Sequence, residues 1–298
     1  MGVAGYIARR HLEAIRHVGG TLIACHDITD SVGILDSYFP DARFFTSAIE
    51  FADFLAHPDN RPDYFVVCTP NDLHAAHAAL GLKLGADVIL EKPPALSTRE
   101  LDALITLQNK AKHVIHPVLQ LRYHDGPNRF RDLMHQRDPA RPATVTVRYV
   151  TRRGPWFGVS WKGDPARSGT IIFNIGIHLL DALTWAISPE AEATRAWIDP
   201  TGERAEGHLQ FGAVTADWTL STRSGDLPPG THAGAARCIA LDGEVVCDFS
   251  DYSALHTVFY QEVIAGHGPR MEDATAATTL AERIRQAASQ NALAPAPA

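Results

Sequence analysis

The stretch Ala86-Asp-Val-Ile-Leu-Glu-Lys-Pro93 constrains the fold more than any other in this chain. Its apolar run is continuous rather than alternating, the pattern of a parallel strand covered on both faces. It closes on Glu91, Lys92 and a proline that cannot continue a ladder. A helix follows from Ser97, with Glu100 three residues on in the spacing of a capping box. Asp63-Tyr-Phe-Val-Val-Cys68 and His113-Val-Ile-His-Pro-Val-Leu-Gln120 are strands of the same kind, and a helix runs through Ala75–Leu84 between the first two. This alternation predicts an open parallel sheet, in which ligands bind just beyond the carboxyl ends of the strands. Lys92 stands at such an end, although read alone it also fits a solvated surface lysine.

The first residues carry a nucleotide-binding pattern. Gly2-Val-Ala-Gly5-Tyr6-Ile7-Ala8 opens a helix that continues through Leu12 and Ile15 to Gly19-Gly20. Gly2 permits a tight turn, Gly5 lets backbone approach a pyrophosphate, and the helix N-terminus presents free N–H groups to the anion. The next strand, Thr21–Asp27, ends in an acid about 20 residues beyond the glycines, where the dinucleotide fingerprint puts its ribose hook. A carboxylate there repels a 2′-phosphate, and Ile28–Gly33 contains no Arg or Lys, so the expected cofactor is NAD. Asp27 also reads as a turn residue. The fingerprint glycines ordinarily follow a buried central strand, yet only Met1 precedes Gly2. That strand is expected to be missing, and its neighbours' unpaired backbone groups would cost about 1–3 kcal/mol each where buried.

Composition narrows the class. With 298 residues, 45% apolar and 20% charged, the chain is read as a globular protein of one large or two ordinary domains. A net charge of −7 argues against general binding to nucleic acid or membrane surfaces. No apolar run is expected to reach the ~18 residues of a membrane span. The start has no basic-then-apolar leader, and the expected location is the cytoplasm. Cys25, Cys68, Cys238 and Cys247 lack Cys-x-x-Cys spacing and read as small apolar residues, not as disulfides or a metal site.

After a polar-faced helix at Asp125–Arg137 the pattern changes. Ala143–Val150 alternates with period two, and Ala193–Ile198, His208–Phe211, Val214–Ser221, Arg237–Leu241 and Glu244–Phe249 are strands without helices between them. They predict a mostly antiparallel sheet, with closing helices at Leu255–Ala265 and Asp273–Ser289. Arg152, Arg153, Trp156, Trp161 and Lys162 lie in one loop and form either an anion site with aromatic walls or a surface loop tucked on the sheet. His178, Asp181 and Trp185 share a helical face just after Asn174. A neutral imidazole there can accept an alcohol proton, with the carboxylate orienting it, although a lone helical histidine is often structural.

Several of these segments together resemble a known family. Strand-Glu91-Lys92-Pro93, Thr69-Pro-Asn71-Asp-Leu-His74 and Gly169-x(4)-Asn174-x-Gly-x-His178-x-x-Asp181 are similar to motifs of the glucose–fructose oxidoreductase/inositol dehydrogenase (Gfo/Idh/MocA) family, with Asn174 where most members have Asp. Gly-Val-Ala-Gly-Tyr-Ile-Ala at the start, Gln120-Leu-Arg122, Val159-Ser-Trp-Lys-Gly-Asp164 and Leu255-His-Thr257 resemble one subgroup, the UDP-N-acetyl-2-amino-2-deoxyglucuronate 3-dehydrogenases of bacterial surface-polysaccharide pathways. The sheet region near Ser224–His232 looks abbreviated by comparison. The resemblance implies an α/β chain: a Rossmann NAD-binding domain over 1–121, lacking its first strand, and an α+β substrate domain over 122–290. A tail over 291–298 is expected to be disordered.

It further implies that NAD meets Gly2, Gly5, Tyr6, Ile7, Asp27, Thr69, Asn71, His74, Glu91, Lys92 and Gln120. The sugar would meet Arg122, Arg153, Trp161, Lys162, Asn174, His178 and Asp181. Lys92 or His178 would take the 3′-hydroxyl proton, no metal is involved, 2-oxoglutarate is an implied acceptor for recycling NADH, and the chain is expected to be a homo-oligomer through its second sheet. The rival readings are a dehydrogenase of another sugar or inositol, an NAD-dependent glycosidase and a non-catalytic NAD-binding regulator.

Overall fold

The structure, a computed structural model, describes residues 1–231, 234–250 and 254–291. The chain divides into two compact units. The first takes Met1–Ala95, Arg99–Gln120 and Ser253–Ala274, and the second takes Leu96–Thr98, Leu121–Tyr252 and Thr275–Ala298.

In the first unit, β1 (Ala24–His26) pairs with β2 (Arg43–Phe45), and β3 (Tyr64–Val67) with β4 (Asp87–Leu90) and β5 (Ile115–Pro117), all parallel. The connecting helices are α1 (Ala8–His17), α2 (Leu35–Tyr38), α3 (Ala48–Ala56), α4 (His74–Lys83) and α5 (Thr98–Ala111). Ser47 caps α3 by accepting the Glu50 N–H at 3.3 Å. Val67, Val88, Leu90 and Ile115 are fully buried, as continuous apolar strands covered on both faces should be.

The five strands do not form one sheet. β1–β2 and β3–β4–β5 are separate ladders, and Met1 lies between them. Its ammonium donates to the Val66 carbonyl at 2.7 Å, its carbonyl accepts the Cys68 N–H at 2.9 Å, and the Gly2 N–H donates to the His26 carbonyl at 2.8 Å. One residue thus does locally what a central strand does along its length. Beside it opens a cavity of about 520 Å³, lined by Ile23, Cys25, Phe65, Val66 and Ile89 among other side chains. The core spans both ladders, since Ala24 of β1 and Phe45 of β2 pack against the cluster of β3, β4 and β5, and Phe51 stacks on both His26 and Phe65. Val3, Leu12, Cys25 and Leu35 form one cluster, while Phe51, Phe65, Val67, Leu90 and Leu101 belong to another.

The second unit is built on a six-stranded sheet ordered β11-β10-β6-β9-β8-β7. Its strands are β6 (Ala143–Thr151), β7 (Glu192–Ile198), β8 (Arg204–Phe211), β9 (Val214–Ser221), β10 (Ala235–Leu241) and β11 (Glu244–Asp248). Every neighbouring pair is antiparallel except β6 and β9. In β6, Ala143, Val145, Val147 and Tyr149 are buried while Thr144, Thr146 and Arg148 face solvent, the period-two pattern of a half-covered sheet. β8 starts at Arg204, earlier than His208, and Gly207 within it makes room for Trp218, whose ring would lie 2.6 Å from a Cβ there.

Helices α6 (Asp125–His135), α7 (Trp156–Val159), α8 (Pro165–Ser168), α9 (Ile177–Ala186) and α11 (Thr275–Asn291) complete this unit, while α10 (Leu255–Ile264) belongs to the first. Pro165–Ala186, 22 residues including a π-helical turn at Ile172–Gly176, is long and apolar enough by length and composition to cross a membrane, with a mean hydropathy of 1.2. It is 89% buried inside the fold, and a helix enclosed on all sides is apolar all round for that reason. Ser224–Asp226 forms a short 3₁₀ turn, whereas His232 and the expected tail from residue 292 onward lie outside the described residues.

Candidate active site

The turn before α1 is shaped for a phosphate. Gly2 has φ of +82°, and a Cβ on it would sit 2.7 Å from the Cys68 carbonyl carbon, so the turn presses directly on the end of β3. α1 begins without a side-chain cap and without an acidic residue in its first turn, so no carboxylate competes with an anion at its positive end, where the Ala8 and Arg10 N–H groups donate to the Gly5 and Ile7 carbonyls at 3.0 Å. Asp27 closes the turn from the other side. Its Oδ2 accepts the Ala4 N–H at 3.0 Å and its Oδ1 accepts the Thr29 N–H at 3.1 Å. The turn-residue reading of Asp27 therefore holds, and its carboxylate stays at the end of β1. Tyr6 is 68% exposed on the rim, and Ile7 is half-buried. An open helix N-terminus, a glycine where a side chain cannot fit and a fixed carboxylate suit a dinucleotide.

The ends of β3 and β4 are tied together by His74. Its Nε2 lies 2.8 Å from the Thr69 carbonyl and its Nδ1 lies 2.7 Å from the Pro93 carbonyl. Thr69 Oγ1 meets His77 Nδ1 at 2.9 Å, and Asn71 is buried beside them in the same loop. Burial pulls the pKa values of His74 and His77 down, that of His77 to about 4. Lys92 is half-buried at the strand end, and Gln120 is buried with its Oε1 lacking a hydrogen-bond partner.

Glu91 points inward. Its Oε1 accepts from His11 Nε2 at 2.9 Å and from His256 Nε2 at 3.0 Å, while its Oε2 accepts the Lys92 backbone N–H at 3.1 Å. Tyr260 Oη lies 2.8 Å from His11 Nδ1. Burial pushes the Glu91 carboxyl up, but the hydrogen bonds from His11 and His256 outweigh it and hold the group well below the usual carboxylate range. Sequence reading did not assign His11, His256 or Tyr260 to a site. His256 lies 165 residues from Glu91, and no local pattern joins them.

In the second unit, Arg122 grips Asp181 with a fork, Nε to Oδ2 at 3.1 Å and Nη2 to Oδ1 at 2.8 Å. Arg122 and Arg131 both lie over the Trp185 ring, at 5.6 and 4.1 Å from its centroid. Asn174 is buried in the π-helical turn and His178 in the first turn of α9. Lys162 Nζ stands 3.9 Å above the Trp161 ring, and both residues are half-buried. Arg153 is half-buried, with its backbone N–H on the Thr222 carbonyl at 3.1 Å, whereas Arg152 and Trp156 are exposed.

A glycine turn on an uncapped helix, a strand-end acid and parallel strands define a Rossmann-type NAD-binding oxidoreductase. The model of the oxidoreductase family with an NAD-binding Rossmann fold (Gfo/Idh/MocA) matches residues 1–118. Among solved structures, the WlbA (WbpB) dehydrogenase from Thermus thermophilus, in complex with NAD and UDP-GlcNAcA, is 36% identical. That alignment covers 95% of this chain and 92% of the other, with a TM-score of 0.87. The WlbA dehydrogenase from Bordetella pertussis, with NADH and UDP-GlcNAcA, shares the fold at 18% identity and a TM-score of 0.80, covering 96% and 94% of the two chains. D-glucoside 3-dehydrogenase of Escherichia coli (strain K12) is 28% identical over 128 residues, 43% of this chain and 36% of that protein. The curated relatives are matched over 36–60% of their own length. The chain belongs to the Gfo/Idh/MocA oxidoreductase family.

Proposed function

We propose that this protein oxidises the 3′-hydroxyl of a UDP-linked N-acetylamino uronic acid to the 3-keto sugar, in surface-polysaccharide biosynthesis. What carries the reading is 36% identity over 95% of the chain to a dehydrogenase solved with NAD and UDP-GlcNAcA. Bound NAD supplies the two-electron acceptor for the carbinol carbon. The turn at Gly2–Gly5, the N-terminus of α1 and Asp27 hold it, with Thr69, Asn71, His74 and Gln120 along its length. Lys92 and His178 share the proton chemistry of the hydroxyl, one as acceptor and the other as donor to the oxygen. Arg153 and Lys162 grip the diphosphate or the uronate, Trp161 backs Lys162, and Arg122, Asn174 and Asp181 line the sugar. Asn174 offers hydrogen bonds without a second negative charge beside an anionic substrate. A second solved form of the Thermus thermophilus enzyme, with NAD and alpha-ketoglutarate, supports 2-oxoglutarate as the acceptor that recycles NADH. The reading includes a cytoplasmic homo-oligomer assembled through the second unit's sheet.

The test offers the UDP-uronate, the matching UDP-hexosamine, inositol, glucose and a simple glucoside, with and without 2-oxoglutarate. NADH is followed by absorbance and the keto product by mass spectrometry. The UDP-uronate should be preferred, because its carboxylate gives the half-buried Arg153 and Lys162 an anion to pair with. Lys92→Ala and His178→Ala should each lower kcat by about 10²–10⁴. Arg153→Ala and Lys162→Ala should act through KM, since an anion grip is made in ground and transition states alike. Turnover of inositol, glucose or the glucoside with none of the UDP-uronate would refute the substrate.

A further inference from the structure

Within the second unit, the segment that joins β6 to the π-helical turn carries an exposed aromatic surface in a cationic setting. Trp156 is 45% exposed and Val159 89% exposed, although both are apolar. They are the first and last residues of α7, three positions apart, and so share one side of that turn. The indole is fixed by its neighbours. Phe157 meets it at 75° with ring centroids 5.8 Å apart, and a Cβ on Gly154 would lie 3.1 Å from its Cδ1. The backbone beneath is constrained as well. The Ser160 N–H donates to the Trp156 carbonyl at 3.1 Å and its Oγ to the Phe157 carbonyl at 2.8 Å. A Cβ on Gly163 would overlap the Gly158 carbonyl oxygen, so α7 and the turn after it are pressed together. A large ring that is exposed yet fixed offers contact area to a planar ligand with little ordering cost.

Charge singles out the kind of ligand. Residues 152–167 hold Arg152, Arg153, Lys162 and Arg167 against Asp164 alone, in a chain whose net charge is −7. Asp164 is engaged by the backbone, its Oδ1 accepting the Ala166 N–H at 2.9 Å. Base–aromatic stacking and cation–phosphate pairing are the two halves of nucleotide recognition. A second copy of this chain docking there about a two-fold axis would bring the same four cations face to face, which like-charge repulsion opposes. We propose that Trp156, backed by Val159, is the stacking platform for the nucleobase of the nucleotide-sugar. The proposal rests on the substrate reading above and deepens it: where Arg153 and Lys162 take the diphosphate, Trp156 takes the base. Every base presents a π-face, so the platform favours a nucleotide over a plain phosphate and does not choose among bases.

The test uses the full chain saturated with NAD, so that the dinucleotide's own site is filled. Calorimetry follows UDP, CDP and inorganic pyrophosphate on the wild type, Trp156→Ala and Trp156→Phe. Trp156→Ala should weaken both nucleotides by about tenfold to a hundredfold and leave pyrophosphate within about twofold, since no stacked ring is lost there. Trp156→Phe keeps an aromatic face and should recover most of the affinity. Quenching of indole fluorescence by UDP should be largely lost in Trp156→Phe, and this comparison decides if Trp156→Ala does not fold. Equal weakening of UDP and pyrophosphate, or Trp156→Phe as weak as Trp156→Ala, would overturn the proposal. So would a changed oligomeric state of Trp156→Ala in sedimentation, which would assign the patch to a second copy of this chain. UDP bound and the UDP-uronate turned over equally by wild type and Trp156→Ala would remove the platform alone. A wild type that binds UDP no more tightly than pyrophosphate would remove the nucleotide reading with it.

Discussion

At the scale of single residues, Asp27 has two tasks that oppose each other under mutation. Its carboxylate accepts the Ala4 and Thr29 N–H groups and so shapes the turn proposed to hold the dinucleotide. The same charge repels a 2′-phosphate. At a few ångströms and an effective dielectric near 20 that repulsion reaches about 4 kcal/mol at most, enough for a preference of about 10²-fold or more. Titration calorimetry with both dinucleotides should show NAD bound at least that much more tightly. Asp27→Ala should narrow the gap and lower Tm as well, because two backbone donors lose their acceptor. A wild type that binds NADP as tightly as NAD would contradict this account.

Protonation acts at the same scale. Burial lowers the pKa of His11, His26, His74, His77 and His116. Each binds a proton more readily unfolded than folded, so the stability they contribute is present above their ordinary value of about 6.5 and is lost as pH falls through it. Glu91 is depressed too and works in the same sense, but its contribution is lost only as pH falls through and below the usual carboxylate range. Calorimetry from pH 7.5 to 5 should therefore show Tm falling by several degrees, at roughly 2–4 °C per kcal/mol for a chain of this size. His77→Asn should flatten part of that slope, and a Tm independent of pH would contradict it.

At the scale of elements, the pair Arg122–Asp181 fastens the segment after β5 to α9, with the two side chains 14% and 3% exposed. Truncating Arg122 to Ala removes a two-bond partner of a buried carboxylate and should destabilise the fold by about 3–5 kcal/mol. Replacing both with apolar residues of similar volume, Arg122→Met with Asp181→Leu, should recover most of that loss, because neither charge is then stranded. Denaturant unfolding of the single and double variants measures the difference, and a single variant as stable as the wild type would show the pair to be unimportant. This contact was only half legible in the sequence. The i, i+3, i+7 spacing put His178, Asp181 and Trp185 on one face of α9, and Asp181 was read there as the group orienting His178. That Arg122 reaches Asp181 from 59 positions earlier needed the fold. The π-helical turn that carries Asn174 was likewise invisible, since a one-residue change of helical register leaves no compositional trace.

At the scale of the whole molecule, the divided sheet of the first unit is the feature with the largest physical consequence. Two ladders face each other across a cavity of about 520 Å³, with backbone hydrogen bonds through Met1, Gly2 and Val3 and the stacked rings of His26, Phe51 and Phe65 between them. Apolar volume left unfilled costs dispersion and burial energy alike. An engineered extension of five or six β-branched residues fused ahead of Met1 should run along both edges and fill the space. Calorimetry should show Tm raised by several degrees and NAD bound more tightly, because the Gly2–Gly5 turn would then stand on a complete sheet. A Tm equal to that of the 298-residue chain would show that the gap carries no penalty.

The sequence by itself determined what depends on neighbours along the chain. Continuous apolar runs specified buried parallel strands, period-two alternation specified the half-covered sheet, and the glycine turn with an acid at the next strand end specified a dinucleotide site. Each of these is a pattern repeated over a few residues, and burial or backbone geometry imposes it locally. Tertiary structure alone decided which side chains meet. Glu91 was read as a cofactor contact and lies with its carboxylate turned inward between α1 and α10. His11, His256 and Tyr260 surround it there from positions that share no periodicity with it. The reason is that a buried charge takes its partners from whatever elements pack against it, and packing brings together residues whose separation in sequence carries no information about their contact.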